Sequence, residues 1–166
     1  MSEPFKKIKI PKNIFELIVD IYYLTRLEPF KIVQDNDQKI NLFDINKYPN
    51  FKNILLESIK PIHENFSSKK LDSLDCCGIK SYWENSFKNF DIFQPSEYLI
   101  GSIIKVDHNA NPWPILFKNN ENNIEEINLE SGEMVVFKSN NFIEKRQSKL
   151  IGLYSRELSF YYKEKA

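Results

Sequence analysis

Apolar residues recur at helical spacing in two stretches of the first half of the chain. The first stretch begins after Pro11 and Asn13, and the second begins near Asn50. Residues three and four positions apart share one face of a helix, so both stretches predict amphipathic helices. Pro61 should kink or shorten the second helix. The apolar positions are Ile14, Leu17, Ile18, Ile21 and Leu24 in the first stretch, and Leu55, Ile59, Ile62 and Phe66 in the second.

From Ile79 onward the apolar pattern changes to a period of two, which is typical of strands with one buried face. Turn residues such as Pro95 and Gly132 separate the segments. The pattern predicts a jelly roll covered by one or two helices, and therefore a mainly β chain with N-terminal helices, an α+β fold. The predicted strands are 79–86, 89–94, 97–106, 113–118, 124–129, 133–138, 142–150 and 154–162, with a further short hairpin inside 31–48.

Length and charge narrow the classes of partner. The chain has 166 residues, of which 42% are apolar, so it can form one domain with a sizeable core. We divide it into a helical segment, 1–70, that packs on the sheet, and a β core, 71–166. Lysine plus arginine (23) balance aspartate plus glutamate (23), so no overall field favours nucleic acid or anionic lipid. The lysines before the first helix are expected to form a solvated arm; they are Lys6, Lys7, Lys9 and Lys12.

The amino-acid composition and the lack of long apolar runs indicate where the protein is located and what kind of genome encodes it. Alanine and arginine are rare, whereas isoleucine, asparagine, lysine and phenylalanine are abundant, which fits an AT-rich coding sequence. No apolar run approaches roughly 18 residues, and no charged-then-apolar leader begins the chain, so neither membrane insertion nor export is expected. Adjacent cysteines such as Cys76 and Cys77 form a disulfide only with strain, so they should be reduced. We therefore expect a cytoplasmic protein or a virion component, in a bacterium or a virus that infects one.

Several segments of the β region together resemble one protein family. Residues 83–85 read Trp-Glu-Asn, 100–106 lead through a loop to Pro-Trp-Pro-Ile-Leu-Phe at 112–117, and 132–137 read Gly-Glu-Met-Val-Val-Phe. Residues 155–162, Ser-Arg-Glu-Leu-Ser-Phe-Tyr-Tyr, have the pattern of a closing strand. In this order the segments resemble the Fe(II)- and 2-oxoglutarate-dependent dioxygenases, and most of all their compact bacterial and phage members. The resemblance covers about half of the chain and implies a double-stranded β-helix core.

The resemblance implies an iron site that this sequence does not supply. A His-x-Asp or His-x-His pair should precede the strand that contains Gly101, and a distal histidine should follow strand 133–138. Residues 90–98 contain no histidine, and Ile143 or Glu144 stands at the distal position. Loss of the imidazole ligands should abolish tight Fe(II) binding. We therefore expect no cofactor, the alternative being that Fe(II) and 2-oxoglutarate bind an atypical site.

The two histidines of the chain are weak candidates for a metal site. His63 falls on or beside the apolar face of the second predicted helix, where packing or capping is the usual role. Asp107 and His108 point to opposite faces of an extended chain, so they chelate together only across a bend. Asp91 and Glu97 lie in the window of the lost ligands, but carboxylates alone suit calcium or magnesium better than iron. We expect no metal site, with Asp107 and His108 as the weak alternatives.

Three charged residues, Arg156, Glu144 and Arg146, are the candidate ligand-binding groups of the barrel interior. By the resemblance, Arg156 matches an arginine that pairs with the distal carboxylate of 2-oxoglutarate. On a strand it shares a face with Leu158 and Phe160, and it points into the barrel if they do. A buried guanidinium needs a partner. Glu144 is our candidate, because it would share a strand face with Arg146 and project into the barrel from a strand next to that of Arg156. The alternative is that Arg156 lies at the rim with its head in water.

Two functional hypotheses follow. The first is a non-catalytic protein of this fold that acts as a structural or interaction module, with other protein subunits as partners in an oligomer or larger assembly. By analogy with phage members, it would be a neck, tail or capsid-associated virion component. The alternative is an active oxygenase with an atypical metal site drawn from Asp91, Glu97, His108 and Glu144. A sugar- or peptide-binding jelly roll is a third and weaker hypothesis. No nucleic-acid or membrane partner is expected.

Overall fold

Two helices and ten strands make up the described parts of the chain. A computed structural model of the protein describes residues 2–25, 31–35, 38–87, 99–143, 146 and 148–166. The helices are α1, Lys12–Thr25, and α2, Pro49–Ser67. The strands are β1 Phe5–Lys9, β2 Lys31–Asp35, β3 Gln38–Phe43, β4 Leu71–Trp83, β5 Leu99–Ala110, β6 Ile115–Lys118, β7 Ile124–Ile127, β8 Glu133–Lys138, β9 Phe142–Ile143 and β10 Gly152–Glu164.

The strands form two antiparallel sheets. The larger sheet has the order β1-β8-β5-β10-β4-β3-β2, and the smaller one has the order β7-β6-β9. The longest pairings place β10 between β5 and β4, so that one strand runs through the centre of the larger sheet. The prediction of a mainly β chain with N-terminal helices is confirmed. The hairpin predicted within 31–48 is present as β2 and β3.

Both helices cover one face of the larger sheet. Ile18 of α1 and Ile59 of α2 are buried against a core that includes Leu158 and Phe160 of β10. The two predicted helices are therefore confirmed, and their apolar faces pack as the periodicity indicates. Pro61 lies inside α2 and does not shorten it, because the helix continues to Ser67. Among the described residues, no helix is long and apolar enough to cross a membrane.

The other face of the larger sheet looks toward the smaller sheet and forms the barrel interior. At one end, Phe137 and Ile103 pack against Phe117 of the smaller sheet. At the other end, Tyr82, Trp113 and Leu150 form a separate apolar cluster together with Ile40. Gly101 is needed at the first end, because a Cβ there would lie 2.8 Å from the Phe137 ring. Polar side chains of β10 lie between these two clusters.

Some predicted element boundaries differ from the structure. Residues 5–9 are not a solvated arm, because β1 pairs with β8 along its length. Of the predicted strand 142–150, residues 142 and 143 form β9, and the other described residues, 146 and 148–150, are not in a strand. β4 begins eight residues earlier than predicted, at Leu71 instead of 79. The predicted strand 89–94 lies outside the described residues. The division of the chain at residue 70 stays a prediction, although β1 and β3 already pair within the larger sheet.

Candidate functional site

Glu157 is the central charged residue of the barrel interior. It lies on β10 with Lys80 of β4 directly opposite on one side and Lys105 of β5 opposite on the other. Residues directly opposite on paired strands project from the same face, so all three side chains belong to the interior. A register shift between Arg156 and Glu157 allows Lys105 to face Glu157 while Asp107 faces Arg156. The Lys105 ammonium lies 3.0 Å from Glu157 Oε1 and also donates to Ser155 Oγ.

Arg146 reaches the same carboxylate from the segment before β10. Its Nη2 donates to both carboxylate oxygens of Glu157, at 2.7 and 2.8 Å. Its Nη1 donates to the Trp113 carbonyl at 2.7 Å, and its guanidinium carbon lies 3.8 Å from the centre of the Trp113 ring. The exposed fractions of the Arg146 and Glu157 side chains are 1% and 3%. We refer to Lys105, Arg146 and Glu157 as the barrel triad.

Burial and charge act in opposite directions on Glu157. Burial alone raises its pKa, but the charges of Arg146 and Lys105 outweigh burial and hold the pKa at about 2. Burial lowers the pKa of Lys105, and the neighbouring Glu157 carboxylate opposes that shift. Glu157 is therefore ionised at neutral pH, and one buried carboxylate is shared by two buried cations.

The barrel triad does not fit an iron site. Fe(II) is held in oxygenases by imidazole and carboxylate ligands, whereas the single carboxylate of the triad already bonds to a guanidinium and an ammonium. Both cations would repel a metal dication placed beside Glu157. No group of three or more His, Cys, Asp or Glu side chains that could hold a metal occurs in the described part of the chain. A cleft lined by Lys105, Ser155 and Trp113 leads to the triad, but its volume is only about 10 Å³, roughly the space of one water molecule.

Arg156, our principal candidate, lies on the opposite face. Its Nη1 donates to both oxygens of Asp107 at 3.0 Å, and its guanidinium lies 4.0 Å from the Tyr154 ring. The prediction that it points into the barrel is wrong. Arg156 does share a face of β10 with Leu158 and Phe160, as predicted, but that face is the one that the helices cover. Glu144, its predicted partner, lies outside the described residues.

Arg146 does lie in the barrel interior, with Glu157 as its partner. Whether Arg146, Arg156 or Glu144 binds a ligand stays a prediction. Sequence reasoning missed Glu157 and Lys105, although Lys105 lies between Ile104 and Val106 and Glu157 directly precedes Leu158. A charge next to such apolar residues is the signal that could have found them, because it must be paired if its face is buried.

The weak metal candidates are not brought together. Asp107 binds Arg156, whereas His108 Nε2 lies 3.0 Å from Glu130 Oε2. His63 is buried in α2, where its Nδ1 contacts the Ile59 carbonyl at 3.1 Å and its ring lies 4.3 Å from that of Tyr162. Burial lowers the pKa of His63 to about 4, so it is a neutral packing residue. Asp91 and Glu97 lie outside the described residues.

The sequence matches no protein-family model and no curated protein, but solved structures resemble the fold. An oxidoreductase of the 2OG-Fe(II) oxygenase family from Burkholderia pseudomallei superposes with a TM-score of 0.71, over 95% of this chain and 85% of that one, at 12% identity. HygX from Streptomyces hygroscopicus, with nickel, 2-oxoglutarate and hygromycin B bound, gives 0.66 over 98% and 84%, at 10% identity. The viral collagen prolyl hydroxylase of Paramecium bursaria Chlorella virus-1 gives 0.58 over 98% and 97%, at 7% identity.

At these identities the likeness shows the fold alone. The chain has the double-stranded β-helix of the Fe(II)/2-oxoglutarate oxygenases, as the resemblance implies. It has this fold without a metal-binding group of His, Asp and Glu among the residues described.

The prediction that no cofactor is used is contradicted by these neighbours. The Burkholderia protein is named as a 2OG-Fe(II) oxygenase, and HygX was solved with nickel and 2-oxoglutarate in place. The prediction rested on the lost histidines alone, and those bear on the metal ligands more directly than on 2-oxoglutarate.

Proposed function

We propose that this chain is a non-catalytic protein of the oxygenase fold that acts through its surface as a structural or interaction module. The observation that carries the proposal is the barrel triad. An oxygenase keeps its reacting centre open to substrate at the mouth of the barrel, whereas here Lys105, Arg146 and Glu157 satisfy one another in nearly complete burial.

The position of the histidines supports the proposal. The chain has two: His63 is engaged in α2, and His108, which lines the cleft beside Lys105, contacts Glu130. An iron site would have to use carboxylates, and those in the windows indicated by the resemblance are Asp91, Glu97 and Glu144.

The outer surface offers apolar side chains that suit an interaction module. Trp83, Ile151 and Leu153, around the start of β10, have exposed fractions of 37%, 64% and 63%. Large exposed apolar groups that lie near one another commonly mark contact sites. A protein-subunit partner and a place in a virion remain predictions, and light scattering of the purified protein tests self-association.

A second candidate function is an active oxygenase with an atypical metal site. The cofactors in the names of the structural neighbours favour it, with ligands drawn from Asp91, Glu97, His108 and Glu144. Binding of 2-oxoglutarate without turnover is compatible with the first proposal, so binding and turnover need separate measurements.

The deciding experiment is a turnover assay on the full chain. The purified protein is incubated with Fe(II), 2-oxoglutarate, ascorbate and oxygen, and succinate is measured against buffer alone. We expect succinate release at the level of buffer, with a prolyl 4-hydroxylase from Pseudomonas putida as the positive control. Iron-dependent release that a chelator abolishes would overturn the proposal in favour of the oxygenase. Calorimetric titration with 2-oxoglutarate, with and without Fe(II), measures binding independently.

A further inference from the structure

We propose that the barrel interior is a carboxylate-binding site and that Glu157 of the same chain permanently occupies it. The inference deepens the proposed function and rests on it, because Glu157 takes up the donors of Arg146 and Lys105 that another carboxylate would use. It assigns one ligand to the buried side chains of Lys105 and Arg146, namely the side-chain carboxylate of Glu157 on β10.

The contacts around Glu157 are those of a bound anion. Three short contacts converge on its two oxygens: 2.7 and 2.8 Å from Arg146 Nη2, and 3.0 Å from Lys105 Nζ. Charge-assisted bonds of this length are the strong class of hydrogen bond. Lys80 stands opposite Glu157 on the remaining neighbouring strand and is buried as well.

The cations are held in place by groups other than Glu157. Arg146 donates to the Trp113 carbonyl and stacks on the Trp113 ring. Trp113 is itself fixed, because its indole N–H donates to the Ser148 carbonyl at 2.8 Å. Lys105 donates to Ser155 Oγ. Removal of the Glu157 carboxylate should therefore leave a preformed cradle instead of a collapsed one.

Among the described residues, the cradle also has a donor without an acceptor. Arg146 Nε is buried and finds no hydrogen-bond acceptor in the described structure. A guanidinium offers five N–H donors, and Glu157 uses one nitrogen of Arg146 while Trp113 uses another. An anion free to move within the cradle could reach donors that a carboxylate tethered to β10 does not.

Chemical rescue tests the inference. Glu157→Ala removes a CH2 and a carboxylate, which together have the size of acetate. We expect Glu157→Ala to lower Tm by about 10 °C, because two buried cations lose their partner. Sodium acetate should restore part of the loss in a saturable manner, by about 4 °C at ten times its dissociation constant. Sodium chloride of equal ionic strength should not.

Matched variants separate binding from a general salt effect. Phe160→Ala destabilises the helix-covered core and leaves the triad intact, so acetate should give it no more than chloride does. Glu157→Gln fills the same space without charge, and it should also gain nothing. In Glu157→Ala, adding Arg146→Met should abolish the rescue. If Glu157→Ala does not fold, the yield of refolded protein in acetate against chloride replaces Tm as the measurement.

The outcomes distinguish the two proposals. Saturable rescue by acetate, weaker rescue by formate and none by chloride support a carboxylate site. Equal effects of acetate and chloride on Glu157→Ala overturn it, whatever the turnover assay shows. Succinate release by the unmodified protein overturns the non-catalytic proposal even if rescue occurs. If 2-oxoglutarate rescues Glu157→Ala better than acetate does, the cradle prefers a larger acid than the Glu157 side chain. That result would overturn the proposal that the site is shaped for permanent occupancy by Glu157.

Discussion

Each face of β10 carries one member of an arginine–carboxylate pair, and the two pairs differ mainly in burial. On the interior face, Arg146 and Glu157 have side chains that are 1% and 3% exposed. On the helix-covered face, Arg156 and Asp107 are 17% and 36% exposed. Both arginines contact both oxygens of their partner, at 2.7–3.0 Å. The geometry is therefore similar, and water is available to only one of the pairs.

This difference determines what each pair contributes. A partly exposed pair is screened and solvated, so water compensates for much of its loss. A buried pair has no such compensation, and removal of one partner leaves a bare charge in a medium of low polarity. Only the interior pair can therefore control what the barrel accepts. The comparison predicts large effects from interior variants and small ones from variants of the helix-covered face.

The largest effect is expected from Arg146→Met. This variant preserves apolar bulk and removes the guanidinium, which leaves Glu157 buried with Lys105 as its remaining strong partner. We expect a loss of about 3–5 kcal/mol in the free energy of unfolding. Urea unfolding followed by far-UV circular dichroism measures it, since the midpoint shifts while the slope stays constant if the unfolded state is unchanged.

A combined replacement sharpens this result. Lys105→Met, Arg146→Met and Glu157→Leu together remove every charge of the triad, and apolar side chains of similar volume replace them. Because no charge of the triad is then left without its partner, the triple variant should be more stable than Arg146→Met alone. A triple variant less stable than Arg146→Met alone would show that the cost comes from packing instead of charge.

The next effect is a pH dependence that comes from the helix-covered face. The ordinary pKa of His63 is 6.5, and burial lowers it to about 4. Between these values the unfolded chain takes up a proton that the folded chain excludes, so stability falls as pH decreases from 6.5 to 4. The full change is about 3 kcal/mol. Urea unfolding at pH 7.5, 5.5 and 4 measures it.

Substitution of His63 identifies the source of that pH dependence. His63→Gln does not titrate, so the decrease between pH 6.5 and 4 should shrink, whereas His108→Gln, our matched control, should leave it intact. Glu157 acts in a lower range, because its pKa falls from 4.5 to about 2. Its contribution is present above pH 4.5 and is lost as the pH falls toward 2. An unchanged pH profile in His63→Gln would contradict the assignment.

The sequence predicts much of the fold because the period of the apolar residues changes where the structure changes. α2 extends over Pro49–Ser67, where the helical spacing is clear. β8 has the bounds predicted for it, Glu133–Lys138, because Gly132 supplies the turn with a positive φ of 84°. β1 was missed since three of its five residues are lysines, and an edge strand with exposed side chains shows little alternation.

The candidate site was harder to predict, for a physical reason. The alternation along β10 correctly places Arg156 and Glu157 on opposite faces of the sheet, but it does not show which of these faces the helices cover. That choice depends on α1 and α2, whose contacts lie far away in sequence. The resemblance drew attention to Arg156, and the interior face instead presents Glu157. The partners of Glu157 come from β5 and from the segment before β10, so no local pattern could assemble them.

The smallest effect is expected from Arg156→Met, the matched counterpart of Arg146→Met on the other face. Arg156 is bonded to Asp107 and stacks on Tyr154, but water reaches both members of the pair. We expect a loss of at most about 1 kcal/mol, which declines further in high salt. Urea unfolding at low and high sodium chloride measures both values. A loss as large as that of Arg146→Met would show that burial does not determine how much each pair contributes to stability, because the hydrogen bonds of the two pairs are nearly the same length.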